Sequence, residues 1–324
     1  MTDMLRDPAC RAAGALLVLV LAGCGGGGSS SSTSIGSNQV DPPVANSAQH
    51  LYVGDGVPGS GTIRIYALPI ASSSTPAARI PLAAVDGVAV NAQGVLAASL
   101  LDGQIAIIPS PLTSPAISAE FSNGANGGQL AFVNNGELAA AAQDANLRFF
   151  AAPYTNSSAP TASISLPGAT FYGVAQDGSG DIIADDQQDG NIYWYSSGAA
   201  APTVVPGPPN ADLRSIVVQG SQAFIANVTQ ANNKFQSFPG GDVLVYNLPL
   251  SATSVPAYTI GNGIDIPEGL AFDATGNLYV TNIGVPGTSP EQINVYAPPL
   301  SATSTPAAQL EIPQAGLFSI AVGP

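Results

Sequence analysis

The feature that most constrains the fold of this 324-residue chain is a unit that recurs six times from His50 onward. Its clearest copy, Pro267–Ile312, contains four short apolar runs bounded by Gly, Pro, Asn, Asp or Ser. Short runs of branched and aromatic residues with such boundaries are typical of β-strands. One unit therefore predicts a four-stranded antiparallel sheet.

The third run of each unit gives the spacing of the repeat, because it usually ends in Tyr. These runs begin at Ile63, Ile105, Leu147, Ile192, Val243 and Ile293. Successive starts are 42, 42, 45, 51 and 50 residues apart. Repeats of about 40–50 residues with four strands each indicate a β-propeller.

The two ends of the repeated region complement each other. The sequence stops at Pro324, just after a sixth innermost run, whereas His50–Gly54 has the pattern of the second run Asn277–Thr281. Closing a ring in this way removes exposed sheet edges. We therefore predict an all-β fold, a six-bladed β-propeller with four antiparallel strands per blade. The C-terminal strand joins the N-terminal blade and closes the ring.

The amino-acid composition favours many short strands, and the net charge disfavours nucleic acid as a partner. Hydrophobic residues make up 45% of the chain, with 28 Pro and 36 Gly, which favours short strands over long helices. Seven Lys and Arg against 21 Asp and Glu give a net charge of −14. This charge repels phosphate backbones, so we expect no nucleic-acid partner. We also expect a monomer.

Residues 1–23 predict a signal peptide. Its charged start contains Arg6 and Arg11. The apolar run that follows, Ala12–Leu21, is too short to cross a bilayer as a helix. The Leu-Ala-Gly-Cys sequence that ends at Cys24 resembles the bacterial lipobox. This resemblance implies cleavage before Cys24, acylation of its sulfur and a membrane partner through that lipid.

The lipobox resemblance also implies a domain organisation and a location. Residues 24–47 would be the lipidated cysteine and a flexible Gly- and Ser-rich tether, since they lack apolar periodicity. Residues 48–324 would form the propeller. The expected location is the bacterial cell envelope, with the domain outside the cytoplasm. Gly25 is not the Asp associated with inner-membrane retention in Gram-negative lipoproteins, so in a Gram-negative host we expect the outer membrane.

One unit resembles a known repeat family. Pro267–Asp273, PEGLAFD, followed by Gly276–Val280, GNLYV, is similar to the NHL-type propeller repeat. This resemblance implies a fold and no particular activity, because propellers host enzymes, sensors and scaffolds alike. His50 is the only histidine, and no flanking motif places it in a catalytic triad or a multi-histidine zinc site.

The position just before each innermost run is expected to rim the mouth of the central channel. It differs from blade to blade, whereas packing positions look alike, and this variation favours a ligand site. Ordinary variation of a solvated loop would give the same pattern. The predicted ligand-binding residues are Asp86, Tyr172, Arg214, Glu268 and Phe318. Carboxylates expected to make the same face acidic are Asp55, Asp102, Asp144 and Asp242.

Two weaker patterns concern a metal, with Ca²⁺ as the cofactor they suggest. Asp185 and Asp189 match positions 1 and 5 of a calcium loop, but the bidentate Glu is absent at Ser196. Similarity to gluconolactonase-type propellers implies Glu268 as a metal ligand, although Arg214 would oppose a cation. We predict a binding or scaffold module for a small polar ligand or a partner protein. A metal-dependent hydrolase of the gluconolactonase type is the alternative, with no catalytic residues assigned.

Replacement of the lipobox cysteine tests the predicted anchor. We expect Cys24→Ser to leave the protein soluble or uncleaved, because stable attachment requires the several acyl chains that lipidation would supply. Fractionation of cells into membrane and soluble material measures this. A mutant that is correctly processed and equally abundant in membranes would refute the anchor.

Overall fold

The structure is a computed structural model that describes residues 49–56, 61–110, 112, 116–133, 136–229, 240–284, 289–313 and 316–324. The predicted signal peptide 1–23, Cys24 and the tether to residue 47 lie outside the described residues. Within the described ranges, no helix is long and apolar enough to cross a membrane.

In these ranges 24 strands form six separate four-stranded antiparallel sheets. The strands are β1 (His50–Asp55), β2 (Thr62–Ala67), β3 (Ala78–Pro81), β4 (Val85–Val90), β5 (Leu96–Leu100), β6 (Gln104–Ile108), β7 (Ala119–Ser122), β8 (Leu130–Phe132), β9 (Leu138–Ala140), β10 (Asn146–Phe150), β11 (Ala162–Ser165), β12 (Phe171–Gln176), β13 (Ile182–Asp186), β14 (Asn191–Tyr195), β15 (Thr203–Pro206), β16 (Ala211–Gln219), β17 (Gln222–Thr229), β18 (Gly240–Asn247), β19 (Tyr258–Ile260), β20 (Pro267–Phe272), β21 (Leu278–Asn282), β22 (Gln292–Tyr296), β23 (Ala308–Glu311) and β24 (Leu317–Gly323).

Each sheet is one blade of a ring. Blade 1 has the order β24-β1-β2-β3, and blades 2 to 6 follow in chain order as β4–β7, β8–β11, β12–β15, β16–β19 and β20–β23. The innermost strands are β24, β4, β8, β12, β16 and β20, and each contacts the next around the ring. The predicted six-bladed propeller with four antiparallel strands per blade is confirmed.

Ring closure is also confirmed. Strand β1 pairs with β2 on one edge and with β24 on the other, in a register that places Val53 opposite Ile320 and His50 opposite Gly323. Leu317 and Ile320 of β24 are buried. The chain termini of the propeller therefore share one sheet, and blade 1 lacks an innermost strand without the C-terminal segment.

Packing between blades accounts for the repeated aromatic position. Six buried clusters each join two neighbouring blades. In each cluster the residue at the end of a third strand packs against the preceding blade, as Tyr296 of blade 6 does against Val243 and Ile260 of blade 5. The six equivalent residues are Tyr66, Ile108, Phe150, Tyr195, Tyr246 and Tyr296. The prediction that this series serves packing between blades is confirmed.

Deletion of the closing strand tests how far the ring depends on it. We expect removal of Leu317–Pro324 to lower the free energy of unfolding by at least about 3 kcal/mol, because burial of Leu317 and Ile320 contributes about 1.5–3 kcal/mol each. The edge of β1 would also lose its hydrogen bonds. Thermal and denaturant melts measure this, with deletion of the longer segment Gly25–Val40 as the control. Equal melting temperatures for the two deletions would contradict the role of β24.

Candidate functional site: a buried polar layer beneath an open axial cavity

A β-bulge near the start of the innermost strands sets the position of the predicted site residues. In blade 2, Val85 pairs with Leu100 and Gly87 with Ser99, so Asp86 is an extra residue without a partner of its own. Arg214, Glu268 and Phe318 are the extra residues of the same bulge in blades 5, 6 and 1. In blade 4, Tyr172 and Gly173 lie opposite Asp185. A bulge re-aims a side chain, and here the bulges of blades 2, 4, 5 and 6 bring Asp86, Tyr172, Arg214 and Glu268 together.

The structure places these five residues elsewhere than the sequence predicted. Asp86, Tyr172, Arg214, Glu268 and Phe318 lie inside the innermost strands and not in loops before them. The first four are also at most 9% exposed, whereas a solvated rim was expected. Phe318 is half-buried, and its ring lies against Gly56.

Tyr172 links two blades that are not neighbours. Its hydroxyl donates to Asp86 Oδ1 at 2.9 Å, and Gln143 Nε2 donates to Asp86 Oδ2 at 3.1 Å. The guanidinium of Arg214 lies 5.6 Å from the centroid of the Tyr172 ring. The bond between blades 2 and 4 spans blade 3, where the equivalent residue, Gly128, has no side chain. The structure therefore brings four of the five predicted residues into one layer.

Arg214 is the cation of this layer. Its Nε and Nη2 atoms each lie 2.7 Å from a carboxylate oxygen of Asp212, and Nη1 lies 3.6 Å from Glu268 Oε1. Asp212 is fully buried. Neither Asp212 nor Gln143 was predicted from the sequence. The signal for Asp212 was its position two residues before an Arg on the same strand, where a bulge lets the two side chains meet.

Burial dominates the protonation behaviour of the layer. It raises the pKa of Glu268 to about 8 and that of Asp86 above its usual value, although Arg214 opposes both shifts. Burial lowers the pKa of Arg214, but the attraction of Glu268 and Asp212 outweighs it and the net shift is upward. Burial and the nearby Asp86 raise the pKa of Tyr172, so its hydroxyl remains a hydrogen-bond donor.

The residues suggested for a metal do not form a common site. Asp185 is fully buried, and its Oδ1 accepts a 2.7 Å hydrogen bond from the Gly173 amide that the bulge leaves unpaired. Thr281 Oγ1 accepts from Gly269 at 2.7 Å in the same way in blade 6. Asp189 is exposed. Asp185 therefore fills its bulge, and its burial raises its pKa to about 7.

A divalent cation at Glu268 does not fit the arrangement either. The guanidinium of Arg214 already occupies the space 3.6 Å from Glu268 Oε1, where a second positive charge would be repelled. Among the described residues, no group of three or more His, Cys, Asp or Glu is placed to hold a metal ion. The described residues therefore do not fit a metal ion at Glu268.

We call the end of the ring at which the bulges lie the bulge end. Most of the carboxylates expected to make this end acidic are paired with another side chain. Asp55 bonds Arg64 at 2.8 Å, and Asp144 bonds Arg148 at 2.6 Å. Asp242 accepts from Asn227 at 2.8 Å. Asp102 is exposed.

A second set of hydrogen bonds lies one residue further along the innermost strands. Ser319 Oγ accepts from the Val88 amide at 2.8 Å and donates to Gln129 Oε1 at 3.2 Å, which connects blades 1, 2 and 3. Ser215 Oγ accepts from the Leu270 amide at 3.3 Å and connects blades 5 and 6. These polar residues form the floor of the channel that continues beyond them.

The channel beyond this floor is a cavity of about 400 Å³. All six blades line it, with residues 88–90, 129–132, 174–176, 215–219, 270–272 and 320–322. In the five blades that have a bulge, these residues follow it. No lining residue is charged, while Gln129, Gln176, Ser215 and Gln219 are polar. Gln219 is exposed and Phe132 and Phe272 are half-buried, so the cavity opens where the strands end. This open end is opposite the end that the sequence predicted.

Comparison with known proteins supports the fold. Neither a family model nor a curated protein matches the chain. A protein of unknown function from Bacteroides caccae is 13% identical with a TM-score of 0.61, over 85% of this chain and 99% of that one. The β-propeller domain of Cps50 (Swd1) from Myceliophteria thermophila is 11% identical with a TM-score of 0.54, over 83% and 85%. The WD40 domain of Toxoplasma gondii coronin is 15% identical with a TM-score of 0.51, over 82% and 69%. These likenesses establish the propeller, and the similarity to NHL-type and gluconolactonase-type families stays a prediction.

The pH dependence of the free energy of unfolding tests the raised pKa of Glu268. Its pKa is 4.5 in an unfolded chain and about 8 when buried, so the folded state binds this proton more tightly. The free energy of unfolding should therefore fall as pH rises between those values, by up to about 1.4 kcal/mol per pH unit for this group. Glu268→Gln removes this contribution, so the variant should gain stability relative to wild type at pH 8.5 compared with pH 5.

Denaturant melts at several pH values measure this difference. Asp102→Asn, at an exposed carboxylate, is the control and should track the wild type. A constant difference between Glu268→Gln and wild type across the range would contradict a raised pKa at Glu268.

Proposed function

We propose that this protein is a non-catalytic binding module of the bacterial cell envelope. In this proposal the lipid on Cys24 holds it at the membrane, and a small ligand binds in the open end of the central channel. The single observation that carries the binding site is the axial cavity, to which all six blades contribute. Two other cavities, of about 440 and 490 Å³, each draw on only two neighbouring blades.

The buried layer supports a binding role more than a catalytic one. Tyr172 donates a hydrogen bond to Asp86, and Arg214 donates one from Nη2 to Asp212 and also approaches it as an ion pair through Nε. Breaking a buried pair by removing one partner typically costs about 3–5 kcal/mol, because it leaves an uncompensated charge. Groups held so firmly, and at most 9% exposed, form a rigid floor to the channel and are poorly available to a substrate.

The cavity has the size of a small-molecule site, since ligand pockets are typically about 300–1,000 Å³. Its lining surface is more polar than apolar, although Val, Ala, Leu, Ile and Phe residues line it together with three glutamines and a serine. Because its walls are strands and not loops, the position of each group is fixed by the ladder hydrogen bonds of its blade.

A screen against a mouth-blocking variant tests the proposed site. A chemically mixed fragment library, containing anions, cations, neutral polar compounds and aromatic compounds, is added to the full-length protein in detergent, and the melting temperature is measured. A compound present at 100 times its Kd should stabilise the native state by about 2.7 kcal/mol. We expect some compounds to raise the melting temperature of the wild type but not that of Gln219→Trp, whose new side chain stands at the open end.

The matched control is Gln188→Trp. Gln188 is equally exposed but lies in the turn after β13, at the bulge end of the ring, so this variant should respond like wild type. Shifts that persist in Gln219→Trp would place binding away from the axis. A library without any stabilising compound would count against a small-molecule site.

A further inference from the structure

We infer that the axial cavity receives one end of an extended, basic polypeptide. About three uncharged residues of this peptide lie along the axis and pair with the free edges of the innermost strands. The Lys or Arg residues that follow them meet the acidic turns at the opening. This inference rests on the proposed function, because it names the ligand class of the same cavity.

The wall of the cavity presents backbone more than side chains. Its surface is more polar than apolar, although most of the residues that line it are Val, Ala, Leu, Ile or Phe. In every blade one lining residue packs its side chain into an interblade cluster: Val90, Phe132, Val174, Ile216, Phe272 and Ile320. Gln129 and Ser215 are buried as well. Backbone N–H and C=O groups therefore contribute much of the polar surface of the wall.

Each innermost strand has a free edge on the channel side. It pairs with a second strand on its other edge only, and successive residues of an antiparallel pair direct their backbone groups alternately to the partner and away from it. The Val88 amide donates to Ser319 Oγ, and the Leu270 amide donates to Ser215 Oγ, each in a neighbouring blade. Val88 and Leu270 therefore belong to the free edges.

Strand alternation continues the free edge up to the opening. The pairing of β20 is regular from Leu270 to Phe272, so Phe272 directs its N–H and C=O to the same edge as Leu270. The amide of the next residue, Asp273, donates to Asn277 across the hairpin, as alternation requires. The equivalent residues of blades 2 and 3 are Val90 and Phe132. Such an edge is a template for an added strand.

An extended peptide on the axis fits these edges in direction and in length. All six innermost strands run towards the opening, so a peptide along the axis lies beside them. Three lining residues, such as 270–272, cover about 10 Å at about 3.3 Å per residue, which is the length of three peptide residues. Because the buried polar layer forms the floor, the peptide enters by a chain end. Its own N–H and C=O groups match both kinds of group on the wall.

The opening of the cavity is acidic. Asp177 and Asp273 directly follow the lining residues of β12 and β20, and Glu137 and Asp181 stand at the ends of the turns of blades 3 and 4. Burial alone would raise the pKa of Asp273, but hydrogen bonds from neighbouring groups lower it on balance, so this carboxylate stays ionised. Basic residues of a ligand are therefore attracted to the opening.

The segments around the opening contain no basic residue that would offset these carboxylates. The turns that follow the innermost strands are 91–95, 133–137, 177–181, 220–221 and 273–277, and the segments that join third to fourth strands are 68–77, 109–118, 151–161, 196–202, 248–257 and 298–307. None of them contains Lys, Arg or His. The cavity itself is lined without charge, and burial of an unpaired charge is unfavourable. The peptide residues inside should therefore be uncharged, with the basic residues outside.

A library of capped hexapeptides tests the ligand class. Each peptide has three varied uncharged residues at one end and three Lys or Arg at the other, in both orders. The library is added to the full-length protein in detergent, and binders are titrated singly by calorimetry. We expect at least one binder, and N-methylation of its three uncharged residues should weaken it at least about tenfold through lost backbone hydrogen bonds. Replacement of its basic residues by Glu should weaken it at least as much.

Protein variants assign the contacts. Gln219→Trp, at the open end, should abolish peptide binding. The double variant Glu137→Gln with Asp181→Asn keeps the shape of both side chains, removes two charges at the opening and should weaken the basic peptides about tenfold. Asp102→Asn, at the bulge end, removes one exposed charge and should bind like wild type. If the double variant melts early, the salt dependence of binding by the wild type replaces it, since added salt should weaken basic peptides.

The outcomes separate this inference from the proposed function. If no peptide binds while other fragments still bind in a Gln219-dependent way, the peptide inference is wrong and the channel site stands. Peptide affinity that is unchanged by N-methylation, by Glu in place of the basic residues, or by Gln219→Trp would each overturn the inference. Spermine that binds as tightly as the peptides would overturn it too, because charge alone would then be recognised. If neither peptides nor fragments bind, both proposals fail.

Discussion

The pairing of β24 with β1 is the interaction on which the rest of the molecule depends. It joins residues about 270 positions apart, such as His50 and Gly323, and turns six sheets in series into a closed ring. Only in a closed ring does every innermost strand have a neighbour on each side, so that the six interblade clusters are all complete. Closure also gathers six free strand edges around one axis and thereby creates the channel. Without it, blade 1 would expose the edge of β1, which is a template for pairing with another chain.

Within the ring, the bulges decide how polarity is distributed along the axis. The bulges of blades 2, 4, 5 and 6 turn Asp86, Tyr172, Arg214 and Glu268 into one layer. Their pairing keeps charge in one buried layer, because isolated charges would be costly at that depth. Beyond the bulges the ordinary strand alternation resumes, and the channel is lined without charge. One end of the axis is thus a rigid polar floor, and the other is an open neutral cavity.

Solved structures that are 11–15% identical share this ring, so the ring itself does not select a ligand. Any selection at the axis depends on the residues that line the cavity of this chain, which are glutamines, a serine and apolar residues without a charge.

The sequence by itself determined the repeat, the four strands per blade, the six-bladed count, the closure and the interblade role of the Tyr series. These follow from local apolar patterns and from equivalence between copies, which need no knowledge of distant contacts. Tertiary structure alone decided which residues meet. Asp86 and Tyr172 are 86 positions apart, and Gln143 and Asp212 belong to no repeated motif. The sequence placed the variable residues outside the strands because a polar residue interrupts the apolar run that marks a strand. A bulge absorbs such a residue within the ladder, buries its side chain and leaves the open cavity at the other end.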